Sequence, residues 1–194
     1  MNATQTPKNS WKEDFLELLR FVLIVLVIVI PLRIFVAQPF IVNGESMLPT
    51  FENGDYLIVD EISYLTGTEV KRGEVIVFKY PTNDKRFLIK RVVGLPGETV
   101  SLNGSKVSIS KDDQNIQLEE DYLNGNFSSY GTWVLQEDQY FVMGDNRQAS
   151  SDSRSWGVLE RDLIVGKTFL RLFPLSGITL HPGQREPSQI ELIL

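Results

Sequence analysis

Cysteine is absent from this chain of 194 residues, and histidine occurs once, as His181. Disulfides, thiol catalysis and cysteine-bound zinc are thereby excluded, as is any metal site that needs two histidines. Positive charge is also short: the formal net charge is -6, and no basic stripe suited to tracking phosphates runs through the sequence, so a nucleic-acid partner is not expected. No lysine or arginine occurs between Arg33 and Lys71, and no charge at all between Phe21 and Leu32. Beyond that apolar stretch there is no helical period of useful length, no internal repeat and no low-complexity tract. The length suits one globular domain with a sizeable core and a short appendage.

The appendage comes first. Residues 1–10 are polar, with Lys8 their only charge. If Arg20 and Arg33 snorkel outward, an apolar span extends from about Phe15 to about Phe40, long enough to cross a bilayer. A buried core helix would carry a polar stripe between Phe21 and Leu32, and a cleaved secretory signal ending at Ala37 would not have Arg33 so near its end. The expected organisation is therefore a segment 1–14, a retained transmembrane anchor 15–37, a β-rich domain 38–183 and a tail 184–194. Lys8, Lys12 and Arg20 precede the span, which puts the N-terminus in the cytoplasm and the remainder across the membrane.

Strands are predicted over 56–59, 74–80, 86–93, 99–102, 106–110, 132–135, 139–143 and 164–173, from their β-branched and aromatic content. Asn53-Gly54, Arg72-Gly73, Pro96-Gly97 and Asn103-Gly104 mark turns, the last as the centre of a hairpin. Residues 111–137, with Asn124-Gly125-Asn126, read as an irregular insertion with short strands. Its Phe127, Tyr130 and Trp133 either meet the lipid interface or pack beneath a loop. The tail is loosely held unless 190–194 pairs with something. The fold class is mainly β.

Three stretches carry chemistry. Ser46, in Gly44-Glu45-Ser46-Met47-Leu48-Pro49-Thr50, is either a turn serine or a nucleophile in need of a base. Lys90 lies among Phe87, Leu88, Ile89, Val92 and Val93. Alternation puts it on the strand face of Leu88 and Val92, where burial would lower its pKa and free its amine to take a serine proton. The competing role is a solvent-facing edge-strand guard. In Gly144-Asp145-Asn146-Arg147 through Ser150, Asp152, Ser153, Arg154 and Gly157, a strand runs into more hydrogen-bonding groups than a turn requires. A triad through His181 is disfavoured by its Pro/Gly-rich surroundings.

Together these stretches, in this order and behind an apolar anchor, resemble the three signature boxes of bacterial type I signal peptidases, over about Phe15 to Phe173. The resemblance implies a membrane-bound Ser/Lys endopeptidase that cuts signal peptides from exported preproteins after small-x-small sequences. It is placed at a bacterial plasma membrane or a thylakoid-type membrane, near the export translocon, with no metal or nucleotide cofactor. By resemblance Ser46 attacks, Lys90 is the general base, and Ser150 orients the lysine. Arg91 with Asp145, and Asp152 with Arg154, hold the site's shape, while Phe40, Val42 and Ile89 line shallow pockets. The Ser46 amide donates to the oxyanion, and Gly44 stands where some members carry a serine as second donor. Self-cleaving repressor-type Ser/Lys proteases lack the anchor. A tethered domain that only binds partners would leave Ser46 and Lys90 without a catalytic role.

Overall fold

The computed structural model describes residues 11–31, 38–112, 114–123, 127–185 and 191–193. The chain divides into two units, 1–37 and 38–194. In the first, helix α1 runs Trp11–Pro31, with Glu13 and Asp14 in its first turn, where carboxylates meet the positive end of the helix dipole. Apolar side chains from Phe15 to Ile28 are exposed. Even so, among the described residues no helix is long and apolar enough to cross a membrane. Within the expected span 15–37, helix is described over residues 15–31. Glu17 and Arg20 interrupt it, and Phe21–Pro31 alone is free of charge. Residues 32–37 of that span, the lead-in 1–10 and Asn124-Gly125-Asn126 lie outside the described residues.

The second unit is two antiparallel sheets. The larger is built from β1 (Gln38–Ile41), β2 (Tyr56–Asp60), β3 (Val75–Tyr80), β4 (Asn83–Gly94), β9 (Gln139–Met143), β10 (Leu159–Glu160), β11 (Ile164–Phe173) and β12 (Thr179–Leu180). Its order is β1-β2-β11-β3-β4-β9-β10, with β12 on β11. The smaller sheet has the order β13-β7-β6-β5-β8, from β5 (Thr99–Gly104), β6 (Lys106–Lys111), β7 (Gln114–Leu118), β8 (Ser129–Val134) and β13 (Glu191–Ile193). Single helical turns, α2 (Ile62–Leu65) and α3 (Ser153–Trp156), complete it.

All eight predicted strands are present. Residues 111–137 carry the short strands expected of them, β7 and β8, and the correction is that these pair into the smaller sheet instead of lying in an irregular insertion. Phe127 and Trp133 pack against Val100, Leu102, Ile109 and Phe141 of the core, whereas Tyr130 is exposed. The β5–β6 hairpin is shifted by one residue. Asn103 pairs with Lys106, so Gly104 and Ser105 form the turn. Only Gly104 takes positive φ, at 64°. β1 and the short β10 and β12 went unforeseen, since runs of two to four residues carry too little alternation to read, whereas β13 takes up the open alternative that 190–194 pairs, by joining β7.

The sheets share no single core. Val93 packs with the Val100–Phe141 group, while Leu88 and Val92 pack with Ile76, Phe78, Tyr140 and Leu159. A third group, Val42, Met47, Phe51, Leu57 and Val75, takes in Ile89. Strand β4 therefore touches all three, and both its faces are buried from Lys90 onward. That gives Lys90 a dry environment.

Candidate active site

Ser46 stands on the connection between β1 and β2. The turn is tightened by the Leu48 amide donating to Glu45 O and the Phe51 amide to Met47 O. Met47 and Phe51 are fully buried and pin the loop from beneath, leaving Ser46 half-buried at the surface. Its carbonyl accepts from the Asn146 amide at 3.0 Å, tying the turn to the segment after β9.

Lys90 is 2% exposed. Its Nζ lies 2.8 Å from Ser46 Oγ and donates to Ile89 O, also at 2.8 Å. Burial lowers its pKa from 10.5 to about 8, with a smaller push from Arg86, against the opposing pull of Asp152 and Asp145. At neutral pH about a tenth of such amines are unprotonated. The same contact that an ammonium makes as a donor then becomes one in which the amine accepts the serine proton.

The surrounding charges are paired. Arg91, 1% exposed, donates through Nε to Asp145 Oδ1 at 2.9 Å and through Nη2 to Oδ2 at 2.6 Å. Asp145 also accepts from Thr50 Oγ1 at 2.5 Å. Asp152 is fully buried, and accepts from Arg154 Nε at 2.7 Å and from the Gly144 amide at 3.0 Å. Burial pushes its carboxyl up, but Arg154, the Gly144 amide and the nearby Ser150 hydroxyl outweigh that and hold it below its ordinary value.

Ser150 departs from expectation. Its hydroxyl is buried and near enough to help Asp152 stay ionised, yet it makes no hydrogen bond of good geometry. Lys90 donates to Ser46 and Ile89 instead. Gly144 is sandwiched here: a Cβ on it would collide with Ser150 Oγ and lie 2.5 Å from Ser46 O.

Phe40, Val42 and Ile89 all line one cleft of about 460 Å³, together with Asn43, Gly44, Arg86, Phe87, Ser46 and Lys90. Phe40 meets Phe87 edge-on across it, ring centres 5.4 Å apart. The Gly44 amide donates to Asn53 Oδ1 at 2.9 Å, and a Cβ at Gly44 would meet nothing within 4 Å. His181 is exposed and set edge-on to Phe169. Among the described residues no cluster of acidic or histidine side chains is arranged to hold a metal.

Sequence reasoning missed Thr50, although it lies in the quoted serine stretch, and the buried pairs Arg72–Glu98 and Arg147–Glu120. Glu98 stood in the quoted lysine stretch, but nothing local names its partner, 26 residues away.

Fold and site define a class: a β-rich serine hydrolase with a lysine amine against the serine hydroxyl. Residues 15–173 match the family model described as signal peptidase, peptidase S26. The chain is 34% identical over 193 residues to a probable signal peptidase I-2 of Synechocystis sp., covering 96% of this chain and 84% of the relative. It is 33% identical over 180 residues to a signal peptidase IB of Staphylococcus aureus strain Mu50, covering 85% and 93%. A crystal structure of a signal peptidase I from Enterococcus faecalis V583 aligns at 32% identity and a TM-score of 0.45, over 51% of this chain and 96% of that one. This chain belongs to the S26 signal peptidase family and is a serine endopeptidase.

Proposed function

We propose that this enzyme removes N-terminal signal peptides from exported preproteins, with Ser46 as nucleophile and Lys90 as general base. The observation that carries the reading is the 2.8 Å contact between Ser46 Oγ and a lysine shut off from water, at the edge of an open cleft. Ser46 Oγ attacks the scissile carbonyl as its proton passes to Lys90 Nζ. Lys90 then returns that proton to the leaving amine, and water hydrolyses the acyl-enzyme along the same route. The Ser46 amide faces the developing oxyanion, where fixed donors usually give the largest catalytic contribution. Arg91–Asp145 and Asp152–Arg154 fix the backbone around the pair, and Ser150 orients the lysine once substrate is bound.

The substrate enters as an added strand. β1 is an edge strand, and β9 pairs with β4 only from Arg91 on, so the Asn83–Lys90 stretch of β4 keeps a free edge on that side. A peptide laid between the two points alternate side chains at Phe40, Val42 and Ile89, whose bulk favours small residues. The helical unit, with 15–37 as anchor, holds the domain outside a bacterial plasma membrane or thylakoid-type membrane near the export translocon. Its support is the charge-free Phe21–Pro31 and the placement of Lys8, Lys12 and Arg20 before it.

The test is cleavage of a preprotein by detergent-solubilised enzyme, with the cut located by mass. Wild type is expected to cut after a small-x-small sequence, and folded Ser46→Ala and Lys90→Ala to lose activity by at least about a thousandfold. Wild-type activity retained in Lys90→Ala would remove the dyad assignment.

A further inference from the structure

The family match stops at residue 173, but the chain beyond it returns to the centre of the site. Residues 181–185 run as a strap over β3 and β4. The His181 amide donates to Phe169 O at 2.7 Å, buried Thr168 Oγ1 donates to Pro182 O at 3.0 Å, and the Arg185 amide donates to Gly73 O at 3.3 Å. The strap is seated so closely that it needs one glycine beneath it and one within it. A Cβ at Gly73 would lie 2.5 Å from Arg185 O, and one at Gly183 would lie 2.6 Å from Thr50 Cγ2 and 3.1 Å from Phe51. Gly183 also has φ near 73°, a conformation side chains disfavour.

At its midpoint the strap meets Arg91. Arg91 Nη1 donates to Gly183 O and to Gly73 O, so the guanidinium is gripped on one side by two carbonyls and on the other by both oxygens of Asp145. Its face rests on the Tyr122 ring, 4.3 Å from the centroid. Asp145 in turn accepts from Thr50, four residues after the serine, while the amide next to it, Asn146, donates to Ser46 O. Arg91 and Asp145 at the middle of this path are buried, and each of its groups is already engaged, so displacement of Gly183 O is passed to Arg91, then Asp145, then the two ends of the serine turn.

We propose that the strap 181–185 is a positioning element for the reaction, in which the Gly183 carbonyl fixes Arg91 and, through Asp145, the approach of Ser46 to Lys90. The inference rests on the Ser46/Lys90 reading. The strap's hydrogen bonds go to Phe169, Thr168, Gly73 and Arg91, none of which lines the cleft, so its contribution falls on turnover rather than on substrate binding.

Gly183→Ala tests this in the full chain, with Gly177→Ala as control, since a Cβ there would be no nearer than 3.6 Å to its neighbours. The expected result is a fall in kcat of at least about tenfold with KM changed less than about twofold. The pH midpoint for kcat should also rise, because an Asp145 less firmly neutralised by Arg91 raises the pKa of Lys90. Should Gly183→Ala fail to fold, Thr168→Val releases Pro182 without added bulk and is expected to act in the same direction, with Thr168→Ser restoring kcat. The Lys90 pKa, read by the pH dependence of its reductive methylation, needs no substrate and separates this idea from the function itself. An inert substrate with a shifted Lys90 pKa in Gly183→Ala would overturn the peptidase reading and leave the strap standing. Unchanged kcat and unchanged Lys90 pKa in folded Gly183→Ala and Thr168→Val would overturn the strap.

Discussion

Lys90 sets the pH range of the enzyme because it is the one base the serine touches, and its pKa has been brought to about 8 chiefly by burial. Activity at limiting substrate is expected to rise about tenfold per pH unit below that value and to level above it. A rate independent of pH from 6 to 9 would contradict the assignment. The same burial has a stability consequence of opposite sense. A folded pKa below the unfolded one means that the unfolded chain binds the extra proton between about pH 8 and 10, so stability rises with pH across that window. Below it, the buried ammonium costs about 3 kcal/mol. Lys90→Met should therefore be inactive yet more stable at pH 6 to 7, and should lose the rise between 8 and 10, as read by denaturant melts at a series of pH values. Ser150 makes a contrasting case, since its buried hydroxyl makes no hydrogen bond of good geometry and only supports the Asp152 carboxylate nearby. Ser150→Ala is expected to leave stability within about 1 kcal/mol while activity falls. A loss of stability as large as that of a core substitution would mean that the hydroxyl is structural. Lys90 was legible from its apolar strand neighbours, whereas Ser46 read equally well as a turn serine and stood out only because three stretches in order resemble the family's signature boxes. The absence of a Ser150–Lys90 bond was not legible, since hydrogen-bond geometry depends on strands far apart in sequence.

At the level of elements, β4 and the turn that follows it join the two sheets. Glu98 closes this turn by accepting from the Leu95 amide at 2.7 Å, and it pairs with Arg72 through two contacts of 2.8 Å. Arg72 also donates to Val93 O at 2.7 Å, so the pair locks the end of β4 to the turn before β3. Glu98→Ala would remove the carboxylate that accepts two bonds from the buried Arg72 guanidinium and one from the Leu95 amide, which is expected to destabilise by about 3 to 5 kcal/mol. Glu98→Gln, which keeps the acceptor for Leu95, should lose less, and equal losses in the two variants would argue that charge is not what holds the joint. Strand positions were readable where β-branched and aromatic residues ran together for five residues or more, as in β3, β9 and β11. The Glu98–Arg72 joint was not, because a glutamate after Pro96-Gly97 looks like any solvated turn residue. Likewise β7 looked irregular because its sequence is polar, and only pairing with β6 makes a strand of it, whereas β8 was foreseen in its second half, over 132–135.

For the whole molecule, the question is what the first unit does for the second. Helix α1 exposes Leu23 at 60% and Val27 at 64%, one turn apart on the same side, and such a surface is costly in water. The apolar run was plain in the sequence. Its full extent was not, because Glu17 and Arg20 fall inside the helix and crossing then requires long side chains to reach the interface. If the run anchors the enzyme, wild type should stay with membranes through alkaline carbonate extraction. Leu23→Asp combined with Val27→Asp, each carboxylate costing about 3 kcal/mol near a bilayer centre, should move the protein into the extractable fraction. Preprotein cleavage by the same variant in detergent should match wild type, since both substitutions lie in the unit apart from Ser46 and Lys90. Release of the wild-type protein by carbonate would rule out a spanning anchor. The helix would then be a surface-bound segment, and access to preproteins would have to come from the catalytic unit itself.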